Sequence, residues 1–150
     1  MIVTFCGHRE VREPEKVRAW LYETVEELIQ GGADCFYLGG YGQFDSIAAG
    51  IVRELKTKYP QIRSVLVLPY LDRNYDVSAY DESIYPPLEN VPRRYAISKR
   101  NEYMVDNADV VIAYVLYSFG GAGKTLKYAE RKKKRILQFP VRIHNEGLFT

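Results

Sequence analysis

Short apolar runs alternate with segments of helical periodicity along the sequence, and this alternation constrains the fold more than any other feature. The apolar runs cover residues 2–6, 35–38, 64–68, 109–115 and 136–139. Between the first two runs, Val17, Leu21, Val25 and Leu28 recur at helical spacing. Strands that alternate with helices form parallel sheets whose two faces are covered by helices. The sequence therefore predicts an α/β fold, a Rossmann-like three-layer sandwich with a mainly parallel sheet of about five strands and helices on both faces.

Length, charge and cysteine content narrow the class of protein. A chain of 150 residues fits one domain, so residues 1–150 are predicted to form a single Rossmann-like domain. The net charge is +2, but outside the basic run 131–135 the chain has 16 basic and 19 acidic residues, so a generally basic face is not implied. No apolar stretch could span a bilayer and no signal-peptide pattern is present, which predicts a cytoplasmic protein without a membrane partner. Cys6 and Cys35 lack metal-ligand spacing, and no metal site is expected.

Three unusual turns follow predicted strands. They are Gly7-His8-Arg9 after the first strand, Gly39-Gly40-Tyr41-Gly42 after the second, and Gly120-Gly121-Ala122-Gly123 followed by Lys124-Thr125 after the fourth. In an open parallel sheet, ligands bind beyond the carboxyl ends of the strands, where helix N-termini offer free N–H groups to anions. Each glycine turn alone is equally well explained as a tight connection. Two such turns at one edge of a small domain favour a ligand that carries phosphate.

Two familiar nucleotide-binding motifs are absent. Gly123-Lys124-Thr125 resembles the end of a P-loop, but that motif requires glycine where this chain has Ser118. The turn after the first strand also lacks the G-x-G-x-x-G dinucleotide fingerprint. An NTPase and a nicotinamide-dependent dehydrogenase are therefore disfavoured, and the sequence requires no cofactor.

Polar side chains near the turns have both a structural and a functional interpretation. Arg9 either pairs with a neighbouring glutamate or clamps a phosphate, and His8 either bonds loop backbone or contacts a ribose or base. Asp45 follows the second glycine turn, where it either caps a helix or supplies a catalytic carboxylate. Arg100 and Asn101 fall inside a predicted helix, where Asn is a poor helix former, so a specific bond to a ligand or to a neighbouring loop is expected.

The segment 69–92, between the third strand and the next helix, is rich in Tyr, Asp and Pro and lacks helical periodicity. It is too long for an ordinary connection. Because it leaves and returns at the carboxyl edge of the sheet, we expect it to fold over the cleft as a lid. Tyr75 would then stack on a base while Arg73 supplies a polar contact. An equally weighted alternative is a dimer interface, since exposed Tyr is also favoured there.

Several pieces of the sequence, in this order, resemble the SLOG superfamily, particularly its YpsA-like branch. They are Cys6-Gly7-His8-Arg9, residues 39–45 with Ala48-Ala49, residues 100–106, and residues 120–125 with Tyr128-Ala129. The resemblance covers nearly the whole chain. It implies a Rossmann-like fold that binds nucleotides or nucleotide-derived ligands, with relatives that include nucleoside-monophosphate phosphoribohydrolases and the DNA-processing protein DprA. The ligand-binding residues indicated by the turns, the segment 69–92 and the resemblance are Gly7, His8, Arg9, Gly39, Gly40, Tyr41, Gly42, Phe44, Asp45, Arg73, Tyr75, Arg100, Asn101, Gly120, Gly121, Ala122, Gly123, Lys124 and Thr125.

One departure from the enzymatic relatives bears on function. The phosphoribohydrolases carry P-G-G-x-G-T-x-x-E after the fourth strand, and this chain has Phe119, Lys124 and Lys127 at the proline, threonine and glutamate positions. Cleavage of a glycosidic bond generally needs a carboxylate, so the expected catalytic group is missing. We therefore expect a protein that senses or sequesters a nucleotide or nucleotide derivative, as a homo-oligomer and most simply a dimer. Two alternatives stay open: an N-glycosidic hydrolase with Asp45 as the relocated carboxylate, and a single-stranded nucleic-acid-binding protein that uses tyrosines and the basic run 131–135.

Overall fold

The computed structural model describes residues 1–140, which form six strands and four α-helices. In chain order these are β1 (Ile2–Gly7), α1 (Pro14–Gln30), β2 (Cys35–Leu38), α2 (Gln43–Lys56), β3 (Arg63–Val67), β4 (Glu82–Ile84), α3 (Ala96–Asn107), β5 (Val110–Tyr114), α4 (Gly120–Arg131) and β6 (Arg135–Gln138). Two short 3₁₀ turns, Val77–Ala79 and Arg93–Tyr95, lie in the connection between β3 and α3. Among these residues, no helix is long and apolar enough to cross a membrane.

The strands form one parallel sheet in the order β4-β3-β2-β1-β5-β6. The predicted Rossmann-like α/β fold is confirmed, with six parallel strands instead of about five. The additional strand is β4, which pairs with β3 so that Val65 lies opposite Glu82. It has only three residues, two of them exposed, and therefore shows neither an apolar run nor an alternation that sequence patterns could detect.

Alternate side chains of β1 enter the cores on opposite faces of the sheet. Val3 and Phe5 belong to a large apolar cluster with α1 and α2, whereas Cys6 packs with Val105 and Ala129 of α3 and α4. This alternation follows from the two-residue period of a strand. The helices thus lie in two layers, α1 beside α2 and α3 beside α4, as a three-layer sandwich requires.

The first helix illustrates how the sequence pattern becomes packing. Pro14 is its first residue, where a missing N–H costs no hydrogen bond. The apolar series that predicted the helix, from Val17 to Leu28, is buried against the sheet. Cys35 lies opposite Ile2, so Cys6 is four residues further along the neighbouring strand. Both thiols are free and buried.

Candidate functional site

A cavity of about 430 Å³ opens at the carboxyl ends of β1 and β5. These strands are neighbours, but the chain continues outward from β1 to β4 on one side and from β5 to β6 on the other. Such a reversal is the topological switch point at which open α/β sheets bind ligands. We call this space the main cavity. Its walls come from the turn after β1, the turn before α2, one side of α3 and the start of α4.

Most of the predicted site residues line the main cavity: Gly7, His8, Arg9, Tyr41, Asp45, Arg100, Asn101, Gly120, Gly121, Ala122 and Thr125. A second cavity of about 310 Å³ lies beside the turn 39–42 and is lined by the predicted residues Gly40, Gly42 and Tyr75. The remaining predicted residues, Gly39, Phe44, Arg73, Gly123 and Lys124, line neither cavity. Residues distant in sequence therefore meet at the main cavity, although some of the predicted residues lie outside its wall.

Phe44 belongs to the core and not to the ligand-binding surface. Its side chain is completely buried and packs against the rings of Phe5 and Tyr114. A Cβ atom on Gly7 would overlap the Phe44 ring, so glycine is needed there because the first turn crosses directly over this side chain. The prediction that Phe44 contacts a ligand is therefore wrong, and Gly7 is explained by this close approach.

The start of α4 presents free backbone to the main cavity. Phe119 is the N-cap residue, its extended backbone leads into Gly120 at φ +83°, and no side chain caps the helix. Gly120, Gly121 and Ala122 form the first turn and line the cavity. The unpaired N–H groups and the positive end of the helix dipole at such a position favour an anion. This turn is therefore a suitable place for a phosphate.

The turn before α2 approaches the main cavity from the opposite side. Gly42 has φ +92°, and a Cβ atom there would lie 2.9 Å from the Arg9 backbone, so both the conformation and the space require glycine. Gly42 is also the N-cap residue of α2, which has no side-chain cap. Asp45 lies within the first turn of this helix and accepts a hydrogen bond from the Tyr41 N–H at 3.3 Å. The helix-capping interpretation of Asp45 is therefore wrong: its carboxylate holds the preceding turn.

Asp45 has the most perturbed carboxyl group of the site. Burial raises the pKa of Asp45 from its ordinary value of 3.8 to about 6, although the Tyr41 N–H and the Arg100 guanidinium both favour the charged form. A Cβ atom on Gly39 would lie 3.0 Å from the Asp45 carboxylate and 3.2 Å from the Arg100 guanidinium, so a larger residue there would crowd both side chains. The main cavity therefore contains a carboxyl group that changes charge near neutral pH.

Arg100 is buried and is anchored to the ends of two strands. Its Nη1 donates to the carbonyl oxygens of Gly39 at 3.0 Å and Val67 at 2.8 Å. Its Nε donates to Asn101 Oδ1 at 2.9 Å, which accounts for an asparagine inside α3. Burial lowers the pKa of Arg100 from its ordinary value, which still leaves it a cation at neutral pH. The bond that Asn101 makes is thus to the adjacent Arg100 side chain, whose guanidinium it orients, and not to a neighbouring loop.

His8 is held by the end of β5. Its Nε2 accepts a hydrogen bond from the Leu116 N–H at 2.8 Å, and this bond requires the neutral ring. Burial, followed by the charge of Arg12, lowers the pKa of His8 below its ordinary value. Of the two interpretations of His8, bonding to loop backbone is the one that this geometry shows. The ring nitrogen left for other contacts is Nδ1.

Three stacked rings form one wall of the main cavity, and we call His8, Tyr117 and Phe119 the aromatic column. The rings of His8 and Tyr117 have centroids 4.0 Å apart and an interplanar angle of 9°, and those of Tyr117 and Phe119 are 4.2 Å apart at 26°. Tyr41 is a further exposed ring at the cavity, and the Arg9 guanidinium lies 5.1 Å from its centroid. The aromatic wall is therefore contributed by the turns beside β1, β2 and β5.

The segment 69–92 does not cover the main cavity, so the predicted lid is absent from this conformation. None of its residues lines that cavity. Tyr75 lines the second cavity, and the Arg73 guanidinium lies over the Tyr70 ring at 4.3 Å. The segment is instead attached to the sheet edge, because β4 pairs with β3. Its length is explained by that additional strand and the 3₁₀ turn Val77–Ala79.

Several wall residues are absent from the predicted set, among them the exposed aromatic residues Tyr117 and Phe119. Both lie within three residues before the turn Gly120-Gly121-Ala122-Gly123, and two aromatic residues beside an anion-binding turn were a signal available in the sequence. Ile97 and Met104 also line the cavity from α3. Their apolar character is typical of core positions, so no sequence signal separated them from the core. Among residues 1–140, no group of His, Cys, Asp and Glu is arranged to hold a metal ion.

Comparison with known proteins finds relatives in sequence and in structure, and no family model matches the chain. The uncharacterized SPbeta prophage-derived protein YoqJ of Bacillus subtilis strain 168 is 27% identical, over 77% of this chain and 81% of YoqJ. DNA processing protein A from Helicobacter pylori, whose structure describes a single-stranded DNA binding mode, superposes with a TM-score of 0.69 at 20% identity. That match covers 96% of this chain and 67% of the Helicobacter chain.

A third similar protein is the molybdenum cofactor carrier protein MCP from Chlamydomonas reinhardtii. It matches with a TM-score of 0.62 at 16% identity, over 91% of this chain and 75% of MCP. At these identities the structural matches show a common fold. The Rossmann-like fold that the resemblance implied is thus the fold of DNA processing protein A as well.

Proposed function

We propose that this protein binds a nucleotide or a nucleotide-derived small molecule in the main cavity, as a sensor or a sequestering protein. The observation that carries the proposal is the uncapped start of α4 at the switch point, inside a cavity of about 430 Å³. Ligand cavities of about 300–1,000 Å³ commonly hold small molecules. The size of the cavity and its anion-binding edge therefore suit a phosphorylated ligand of nucleotide size.

The charges around the cavity support a phosphate at the start of α4. The uncapped first turn of α4 lines the space, and so does the exposed Arg9 on the turn after β1. Asp45 lies on the opposite wall, where its charge opposes an anion once it ionises. A phosphate near Gly121 is thus attracted by the start of α4 and by Arg9, and an uncharged part of the ligand faces Asp45.

The structural neighbours support the same class of ligand without choosing one compound. DNA processing protein A binds single-stranded DNA and MCP carries the molybdenum cofactor, so proteins of this fold accept different ligands. Function on a shared fold is decided by the site. In this chain the basic run 131–135 extends from the last residue of α4 to the first residue of β6, at the amino edge of the sheet and away from the main cavity. A nucleic-acid surface that combines the cavity with this run would have to cross the length of α4.

A second candidate function is hydrolysis of a nucleotide N-glycosidic bond with Asp45 as the catalytic group. The observation that favours it is the pKa of Asp45, which burial raises to about 6 beside the main cavity. A carboxyl group with a pKa near the working pH can exchange protons with a reacting group. Chromatography of nucleoside monophosphates incubated with the protein tests this function: free base that disappears with Asp45→Asn supports it, and no release removes it.

The binding proposal is tested by thermal unfolding with nucleoside monophosphates, ribose 5-phosphate and inorganic phosphate. A ligand at 100 times its dissociation constant adds about 2.7 kcal/mol to the free energy of unfolding, which raises Tm by about 5–11 °C. Mass spectrometry of molecules released on denaturation identifies a ligand carried through purification. No shift with any compound, together with no released small molecule, would contradict the proposal.

A further inference from the structure

We infer that the base of the bound nucleotide stacks on the outer face of Phe119, so that the aromatic column makes the site selective for phosphates that carry a planar heteroaromatic ring. The inference rests on the proposed function and adds to it the position of the base. It assigns a ligand-recognition role to Tyr117 and Phe119, neither of which is among the ligand-binding residues predicted from the sequence.

The column is an ordered stack with one free end. His8 and Tyr117 are almost parallel at 9°, and Tyr117 and Phe119 are 4.2 Å apart. Tyr117 thus covers one face of the Phe119 ring. The Phe119 side chain is nevertheless 70% exposed, so its other face is open to solvent. A planar ring placed there would continue the stack with the spacing already present.

The inner end of the column is fixed to the sheet. The Leu116 N–H donates to His8 Nε2 at 2.8 Å, and the ring of Tyr114 in β5 meets the His8 ring edge-on with centroids 5.8 Å apart. Tyr114 itself is buried. Stacking a base on a platform that is already ordered costs less conformational entropy than stacking it on mobile side chains.

The free end of the column lies beside the proposed phosphate position. Phe119 is the residue immediately before Gly120, the first residue of α4. Both Phe119 and the first turn of the helix line the main cavity. A nucleotide whose phosphate meets the helix start therefore has its base within reach of Phe119. A sugar phosphate without a base would leave this face empty.

The exposure of the column also favours a ligand over ordinary surface. Phe119 is the most exposed of the large hydrophobic side chains among residues 1–140, and Tyr41 and Tyr117 at the same cavity are 52% and 41% exposed. Exposed apolar groups gathered at one cavity are typical of binding sites, whereas scattered ones need no explanation. Base–aromatic stacking tolerates every base because each has a π-face, and purines offer the larger area.

Calorimetric titration of the full chain with AMP, GMP, CMP, UMP and ribose 5-phosphate tests the inference. Phe119→Leu keeps an apolar side chain and removes the aromatic face, and Phe119→Trp enlarges it. Tyr95→Leu is the matched control, because Tyr95 is 46% exposed and lies outside the main cavity. Since Phe119 is mostly exposed, these variants should fold, and circular dichroism melts verify this.

We expect the nucleotides to bind the unmodified protein more tightly than ribose 5-phosphate. Phe119→Leu should weaken nucleotide binding by about 5- to 150-fold, the range of stacking contributions per base, and leave ribose 5-phosphate binding unchanged. Phe119→Trp should retain nucleotide binding, with quenching of the added indole fluorescence. Tyr95→Leu should change neither affinity.

Two results overturn the inference and separate it from the proposed function. If ribose 5-phosphate binds as tightly as the nucleotides, or if Phe119→Leu weakens all the probes equally or none, the base does not stack on Phe119 and the phosphate site stands. If none of the probes binds the unmodified protein and no small molecule is released on its denaturation, the proposed function fails and the inference fails with it.

Discussion

Replacing Gly121 by aspartate should separate anion binding from stability at the start of α4. Gly121 is the second residue of the helix, it is exposed, and a Cβ atom there meets nothing within 4 Å. The new side chain therefore fits without moving its neighbours. Gly121→Asn is the matched control, since it has the same shape without the charge.

The charge should have opposite effects on folding and on binding. An acidic side chain at a helix N-terminus stabilises it by about 0.3–1 kcal/mol, so Gly121→Asp should melt about 1–4 °C above Gly121→Asn. Two unit charges about 4 Å apart repel by about 4 kcal/mol at an effective dielectric constant of about 20. Salt and solvent at this exposed position reduce that figure to about 1–3 kcal/mol, which weakens phosphate binding about 5- to 150-fold.

The assay is thermal unfolding of both variants without ligand, followed by titration with AMP and inorganic phosphate at low and high salt. The difference in affinity between the two variants should shrink at high salt, because screening weakens the repulsion. Equal affinity of Gly121→Asp and Gly121→Asn for AMP would refute the placement of the phosphate at the start of α4. A lower Tm for the aspartate variant would refute the description of that turn as an open, uncapped helix start.

Three further predictions concern the residues around the cavity. Because burial raises the pKa of Asp45 to about 6, its ionisable carboxyl contributes stability below the ordinary value of 3.8 that is lost as pH rises through about 6. Asp45→Asn should therefore gain Tm relative to the unmodified protein between about pH 4 and about pH 8, and a constant difference would contradict this. His8→Phe leaves the Leu116 N–H without its acceptor and should cost about 1–3 kcal/mol in urea unfolding. Since the pKa of His8 is lowered by burial, the unmodified protein should also lose stability as pH falls below about 6.5, and the variant should lack that loss. Phe44→Ala should cost about 3–5 kcal/mol because the side chain is completely buried, and a cost below about 1 kcal/mol would mean that Phe44 is not part of the core.

The fold could be predicted because its signals are local and repeated. The apolar series in α1 and the apolar runs of β1, β2 and β5 each carry a periodicity that a sequence displays directly. The strand β4 has no such periodicity, since it has only three residues and forms by pairing with β3 in the folded structure. A short edge strand is recognised by its pairing with an adjacent strand, and this pairing is visible only in the folded structure.

The general position of the site could also be predicted, because glycine turns that follow parallel strands must meet at one edge. Individual side chains were harder. Phe44 lies next to a glycine turn in sequence, and only the crossing of Gly7 over its ring shows that it points inward. Asp45 was expected to cap α2 because the start of that helix was placed too late; the helix begins at Gln43. With Asp45 as its N-cap the helix would begin at Ser46, and this error of three residues in the helix boundary was enough to change the interpretation of a carboxylate.

The aromatic wall shows a different limit of sequence reasoning. Tyrosines concentrated in residues 69–95 suggested that the cover came from there. Composition records how many aromatic residues a segment has, whereas exposure beside the cavity depends on the direction of each ring. The aromatic column contributes fewer aromatic residues than the segment 69–95, but the rings of Tyr117 and Phe119 line the main cavity.

The pairing of β1 with β5 determines when a binding site can exist during synthesis. Val3 lies opposite Val110, so the two central strands come from distant parts of the chain. The main cavity also needs α3 and the start of α4, which are translated last among its walls. A nascent chain that has only β1, β2 and β3 outside the ribosome already has two of the three turns and still has no cavity. Ligand binding therefore requires the finished sheet. A ligand that binds only the native state will slow exchange of the amide hydrogens in α3 and α4, because unfolding of either helix removes part of the cavity wall.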